Sequence, residues 1–136
     1  MSESNRRFAL TVLRRPFALV RLAADSPLPL WATDAEFFSV TRTSEELSVV
    51  CPAGRVPDGV IAETGWHTLK VKGPFALSEV GVLAALSASL AAAKVSFFAI
   101  STFDTDYLLV SEKQLDAAIA ALRSAGHRVE QSSAVS

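Results

Sequence analysis

The chain of 136 residues carries one cysteine, two histidines and no excess of either charge. The lone Cys51 excludes an internal disulfide and any multi-cysteine metal cluster. It stands at a strand end and reads as a small buried hydrophobe. His67 and His127 are far apart in the chain, and neither has a companion at metal-ligand spacing. Both read as structural or exposed histidines. Thirteen Lys and Arg face fourteen Asp and Glu, a net charge of -1. That balance gives no electrostatic case for nucleic acid or an anionic membrane. Arg6-Arg7 and Arg14-Arg15 lie beside apolar runs and read as solvated strand ends. No apolar run reaches the ~18 residues needed to span a bilayer. Met1-Ser-Glu-Ser-Asn-Arg-Arg lacks the apolar core of a signal peptide. A cytosolic protein without membrane or nucleic-acid partners is expected. Nucleophile-elbow, phosphate-loop and paired-histidine motifs are missing too, so no catalytic residue, metal or cofactor is expected.

What is present is a core. Half of the residues are hydrophobic and 20% are charged, which suits a folded domain. The second half gives the clearer pattern. Trp66 to Lys72 alternates as a strand and ends at Gly73-Pro74. Ser78 is placed to N-cap a helix, with Glu79 in its first turn facing solvent. Val82, Leu83, Leu86, Leu90 and Ala93 recur at helical spacing. Ser96 to Thr102 reads as a largely buried strand, Asp104-Thr105 as a turn, and Asp106 to Val110 as the returning strand. Phe97, Phe98 and Phe103 read as a core cluster, with Phe103 also near enough to the turn to touch a ligand. Ser111-Glu-Lys-Gln114 has the form of a capping box. Leu115, Ala118, Ile119, Leu122 and Ala125 form the stripe of a second helix closed by Gly126. His127 to Glu130 is a last short strand. The order is β-α-β-β-α-β, a ferredoxin-like arrangement.

The first half is rich in strands and poor in long helices. Phe8 to Leu13 and Phe17 to Leu22 read as strands. Pro27 and Pro29 precede a short helical turn near Trp31, itself a packing residue. Phe37 to Arg42 and Glu46 to Cys51 read as a hairpin. One helical turn is expected near Val60-Ile61. An internal repeat links the halves: Phe37 to Val50 aligns without gaps to Phe97 to Val110, pairing Glu46 with Asp106. Two related units, 8–65 and 66–131, are favoured over a chance likeness of two apolar hairpins; strand 66–72 belongs to one unit or bridges both, and 132–136 is a frayed tail.

Ser78-Glu-Val-Gly-Val-Leu83 and Ser101-Thr-Phe-Asp-Thr-Asp-Tyr-Leu-Leu-Val110 resemble the ACT domain, a regulatory module that binds amino acids. The match is to the tandem-ACT group that includes the effector domains of aspartate kinases and the animal cytosolic arginine sensor CASTOR. The resemblance implies an α+β fold of tandem ferredoxin-like ACT units, with antiparallel sheets and helices on one face. It implies a homodimer or higher homo-oligomer, with an amino acid held where one ACT unit meets another. Val80 and Gly81 would lie at the ligand's carboxylate end. Thr102, Phe103 and Asp106 would line the opposite wall. The chain departs from the family at Ala93-Lys94, where a glycine often ends the helix. The first unit has no glycine-containing helix start.

The residues themselves allow that chemistry. The first N–H groups of a helix lack internal partners and attract carboxylates. Gly81 lets a ligand approach closely, or lets the helix pack tightly on the sheet. Asp106 is placed to accept hydrogen bonds from an ammonium or guanidinium, or is a surface turn carboxylate. Asp104 reads as a turn former. These two carboxylates alone are too few for a hard cation. The function expected is a non-catalytic amino-acid sensor. A ligand-free dimerisation or docking module is the alternative, and an enzyme ranks third.

Overall fold

The computed structural model describes residues 6–76 and 78–132. Its elements are β1 (Ala9–Val12), β2 (Phe17–Leu22), α1 (Leu30–Thr33), β3 (Ser39–Arg42), β4 (Leu47–Pro52), β5 (Ala62–Val71), α2 (Val82–Ala92), β6 (Phe98–Ser101), β7 (Asp106–Ser111), α3 (Leu115–Ser124) and β8 (Arg128–Gln131). They fall into two compact units. One is Arg15–Trp66; the other joins the residues up to Arg14 with those from His67 onward.

In the larger unit the strand order is β6-β7-β5-β1-β8. β1 pairs antiparallel with β5, Leu10 opposite Val71, and parallel with β8, Leu10 opposite Val129. Two expectations are corrected here. The sheet is mixed rather than antiparallel throughout. The strand expected to open the first unit belongs with the second half of the chain. Pairing partners so distant in sequence leave no local signal.

The core of this unit gathers Leu10, Val12, Leu69, Val71, Leu108 and Val110 from the strands, with Leu86, Leu90 and Leu122 from the helices. α2 buries Val82, Leu86 and Leu90, one stripe at four-residue spacing. α3 buries Ala118, Ile119 and Leu122. Each fully buried leucine contributes about 1.5–3 kcal/mol. Among the described residues β6 pairs only with β7, and it is mostly exposed. The strand expected to be largely buried is therefore an edge strand, and Phe98 and Phe103 stand outside the core.

Both helices end in the same hydrogen-bond pattern. Gly126 has φ 96, and the His127 N–H reaches the Leu122 carbonyl. Lys94 takes the equivalent place after α2 with φ 60, and the Val95 N–H reaches the Leu90 carbonyl. The capping box is not formed, since neither Ser111 nor Gln114 makes a side-chain cap. Gln114 instead ties down the end of α2. Its Oε1 accepts from the Ser96 N–H, and its Nε2 donates to the Lys94 carbonyl.

In the smaller unit the order is β3-β4-β2-β5. Its core is Ala18, Val20, Ala32, Leu47, Val49 and Cys51, with Trp31 packed against it. Burial pushes the Cys51 thiol pKa up, so it stays protonated. β5 starts at Ala62, earlier than the expected Trp66. Gly65, with φ 80, sits in a bulge that carries the strand onward where the sequence reads as a break. The helical turn expected near Val60-Ile61 is at Ala53–Arg55.

The internal repeat is present with a changed register. Arg42 pairs with Leu47, and Ser101 pairs with Asp106. Thr43 and Thr102 each open a turn, their N–H groups donating to the carbonyls of Glu46 and Thr105. Thr43 therefore matches Thr102, one residue off the ungapped alignment. Glu46 matches Thr105, and Leu47 rather than Glu46 stands at the place of Asp106. The match runs on through 3-10 turns at Ala53–Arg55 and Glu112–Gln114. It stops at Val56-Pro57, where the second copy starts α3 and the first meets a proline. At the tail, the Ser132 N–H bonds the Val12 carbonyl. The rest of the stretch expected to fray lies outside the described residues.

Candidate functional site

The start of α2 is built by Gly81. Its φ of 89 is left-handed, which glycine adopts without steric cost. A left-handed residue cannot continue a right-handed helix backward, so Ser78 and Glu79 stay outside it. The expected cap at Ser78 is replaced by Gly81, which makes no side-chain cap. Among the described residues, the Val82, Leu83 and Ala84 N–H groups begin the helix without intrahelical or side-chain partners.

The facing wall is the turn between β6 and β7. Thr102 and Thr105 close it on each other: the Thr102 N–H donates to the Thr105 carbonyl at 2.8 Å, and the Thr105 N–H to Thr102 Oγ1 at 3.2 Å. Buried Thr105 anchors it, with Oγ1 donating to the Val71 carbonyl at 2.6 Å. The Phe75 N–H donates to the Asp104 carbonyl at 2.7 Å. Gly73 makes room for this contact, because a Cβ there would lie 2.9 Å from the Asp104 carbonyl oxygen. Asp106, half-buried, accepts from the Ser101 hydroxyl at 2.6 Å.

Between the walls lies an open cavity of about 310 Å³. Small-molecule pockets run from about 300 to 1,000 Å³. Gly81, Thr102, Phe103 and Asp106 all line it, with Phe75, Val82, Leu83 and Ala84. Of the five residues expected from sequence, Val80 alone is outside the lining. The residue is 66% exposed, and its carbonyl accepts from Arg6 Nη1 at 3.1 Å. Glu79 is exposed, as expected, and it also borders the cavity and pairs with Arg6 Nη2 at 2.6 Å. Neither Arg6 nor Ser101 carries a sequence signal for this role. Ser101 has its clue only in its register opposite Asp106.

The histidines lie elsewhere. His127 is buried; Nδ1 accepts from the Phe8 N–H at 3.0 Å, and the ring stacks on Phe8. Burial, then the charge of Arg7, holds its pKa below the ordinary value. His67 Nε2 lies 3.6 Å from Glu112 Oε1. Among the described residues no group of three or more His, Cys, Asp and Glu is placed to hold a metal ion. No described helix is long and apolar enough to cross a membrane.

The α+β fold and the order of its elements fit an ACT-type module, and the comparisons agree. The family model described as ACT domain matches residues 61–124. A second model, of an N-terminal domain, matches residues 16–59. A protein of known structure from Agobacterium tumefaciens is 35% identical, covering 96% of this chain and 98% of its own, with a TM-score of 0.88. A Vibrio cholerae protein of unknown function is 18% identical over 90% of this chain and 94% of its own, at a TM-score of 0.73. The regulatory subunit of aspartate kinase from Thermus thermophilus, in its ligand-free form, is 11% identical over 82% and 91%, at 0.56. The last two likenesses are of fold alone. The search of curated proteins found no match. The chain belongs to the ACT-domain family.

Proposed function

We propose that this chain is a non-catalytic cytoplasmic regulatory module that binds a free amino acid in the cavity between the start of α2 and the β6–β7 turn. One observation carries the reading. The uncapped helix start at Gly81–Ala84 and the carboxylate of Asp106 line the same cavity. A helix start favours a carboxylate, and Asp106 accepts from an ammonium, so the two walls match the two ends of a zwitterion. Thr102 and Phe103 add a hydroxyl and an apolar ring to the second wall.

The repeated hairpin and 3-10 turn support a tandem ferredoxin-like origin, with the first unit reduced. That unit has Leu47 in place of Asp106, and its helix α1 has four residues. It therefore supplies no second site of this kind, and one ligand binds per chain. The rim residue Phe103 is 76% exposed, and the neighbouring edge strand β6 carries no charge. Such a rim favours a second copy of the chain completing the site, so that binding shifts a homodimer equilibrium. Calorimetry against the twenty amino acids, with sedimentation in the presence and absence of the best binder, tests this. Saturable binding at one per chain with a shift in association is expected. Association without binding to any of the twenty would replace this reading with a ligand-free dimerisation module.

A further inference from the structure

We infer that Arg6 is the positioning residue of the proposed pocket: it holds the 79–80 rim in place and cancels the charge that would repel a ligand carboxylate. The inference rests on the amino-acid reading above.

Arg6 makes three contacts at once. Nη2 lies 2.6 Å from Glu79 Oε1, and Nη1 donates to the Val80 carbonyl at 3.1 Å. The guanidinium carbon lies 5.0 Å from the Phe8 ring centroid. Phe8 in turn packs edge-on against Phe75, a residue of the cavity wall. One side chain thus links the strand β1 entry, the aromatic wall and the two residues before Gly81. Such a fork restrains a loop in a way that a point charge does not.

The charge matters as much as the tether. Among the described residues the cavity lining has three carboxylates, Glu79, Asp104 and Asp106, and no Lys, Arg or His. Glu79 is the one next to the helix start, where the ligand's carboxylate is to sit. Unpaired, it would oppose that carboxylate. Paired with Arg6, it leaves the helix end available to an anion, while Asp104 and Asp106 keep the far wall suited to an ammonium. Arg6 divides the pocket into an end for each charge.

The test uses wild type, Arg6→Gln, Glu79→Gln and the double variant, each by amide hydrogen exchange and by calorimetry against the twenty amino acids. Arg6→Gln is expected to speed exchange at the Glu79 and Ala85 amides, which donate to the Ala76 and Gly81 carbonyls, on the order of tenfold, the scale of a lost charge-assisted bond, with α3 amides unchanged. It is expected to weaken amino-acid binding by a similar factor. Adding Glu79→Gln restores the affinity but not the protection, a split that a merely structural role does not produce. Unchanged exchange at the Glu79 and Ala85 amides in Arg6→Gln, or an affinity loss that Glu79→Gln does not recover, overturns the inference. Should wild type bind none of the twenty, the proposed function fails, and with it the charge role of Arg6. The exchange data would still decide the tether on their own.

Discussion

Ser101 donates a 2.6 Å hydrogen bond to Asp106 across the first pair of the β6–β7 hairpin. The bond fixes one carboxylate oxygen and leaves the other free to meet a ligand. Asp106→Ala is therefore expected to reduce amino-acid binding by tenfold or more, about the worth of a hydrogen bond to a charged group. Ser101→Ala, which frees the carboxylate to rotate, is expected to have a smaller effect of the same sign. Calorimetry measures both, and thermal melts close to wild type show that the fold is kept.

Lys94 holds a φ of 60 at the end of α2, the place glycine holds after α3. A side chain in that conformation costs about 1–2 kcal/mol. Lys94→Gly removes the cost but widens the unfolded ensemble, so a net gain of about 0.5–1 kcal/mol is expected. Urea unfolding measures it. Binding is expected to be unchanged, because Lys94 is not in the cavity lining.

His127 makes stability depend on pH. Burial and Arg7 lower its pKa in the folded state below the unfolded value of about 6.5. Between those two values the unfolded chain binds more protons, so stability falls as pH drops below about 6.5. Protonation also removes the Nδ1 acceptor used by the Phe8 N–H. His127→Asn keeps an acceptor that does not titrate. Urea midpoints at about pH 5 and pH 7.5 are expected to differ less in this variant than in wild type.

Much of this was legible in the sequence, for reasons that particular residues make clear. The apolar spacing of α2 and α3, and the alternation from Trp66 to Lys72, are local patterns with one solution each. So are the turn at Asp104 and the stop at Gly126. Gly81 was legible as a small residue near a helix start. Its left-handed φ was not, so the helix was expected to begin at Ser78. The parallel partner of β1 depends on pairing with the far end of the chain, which periodicity does not encode. Matching Phe37-Phe38 to Phe97-Phe98 sets the repeat one residue out of register, because the aromatic pairs outweigh the quieter match of Thr43 to Thr102. That single step hid the replacement of Asp106 by Leu47 in the first unit. Gln114 has the spacing of a capping box, and only the nearness of Ser96 and Lys94 reveals its other task.

The most direct measurement is a nitrogen-proton NMR titration of the whole chain with each of the twenty amino acids. The expectation is that at least one produces saturable shifts of the Gly81–Ala84 and Thr102–Asp106 amides together, with none at Thr43–Leu47. Shifts confined to the first unit, or none with any of the twenty at millimolar concentration, would contradict it.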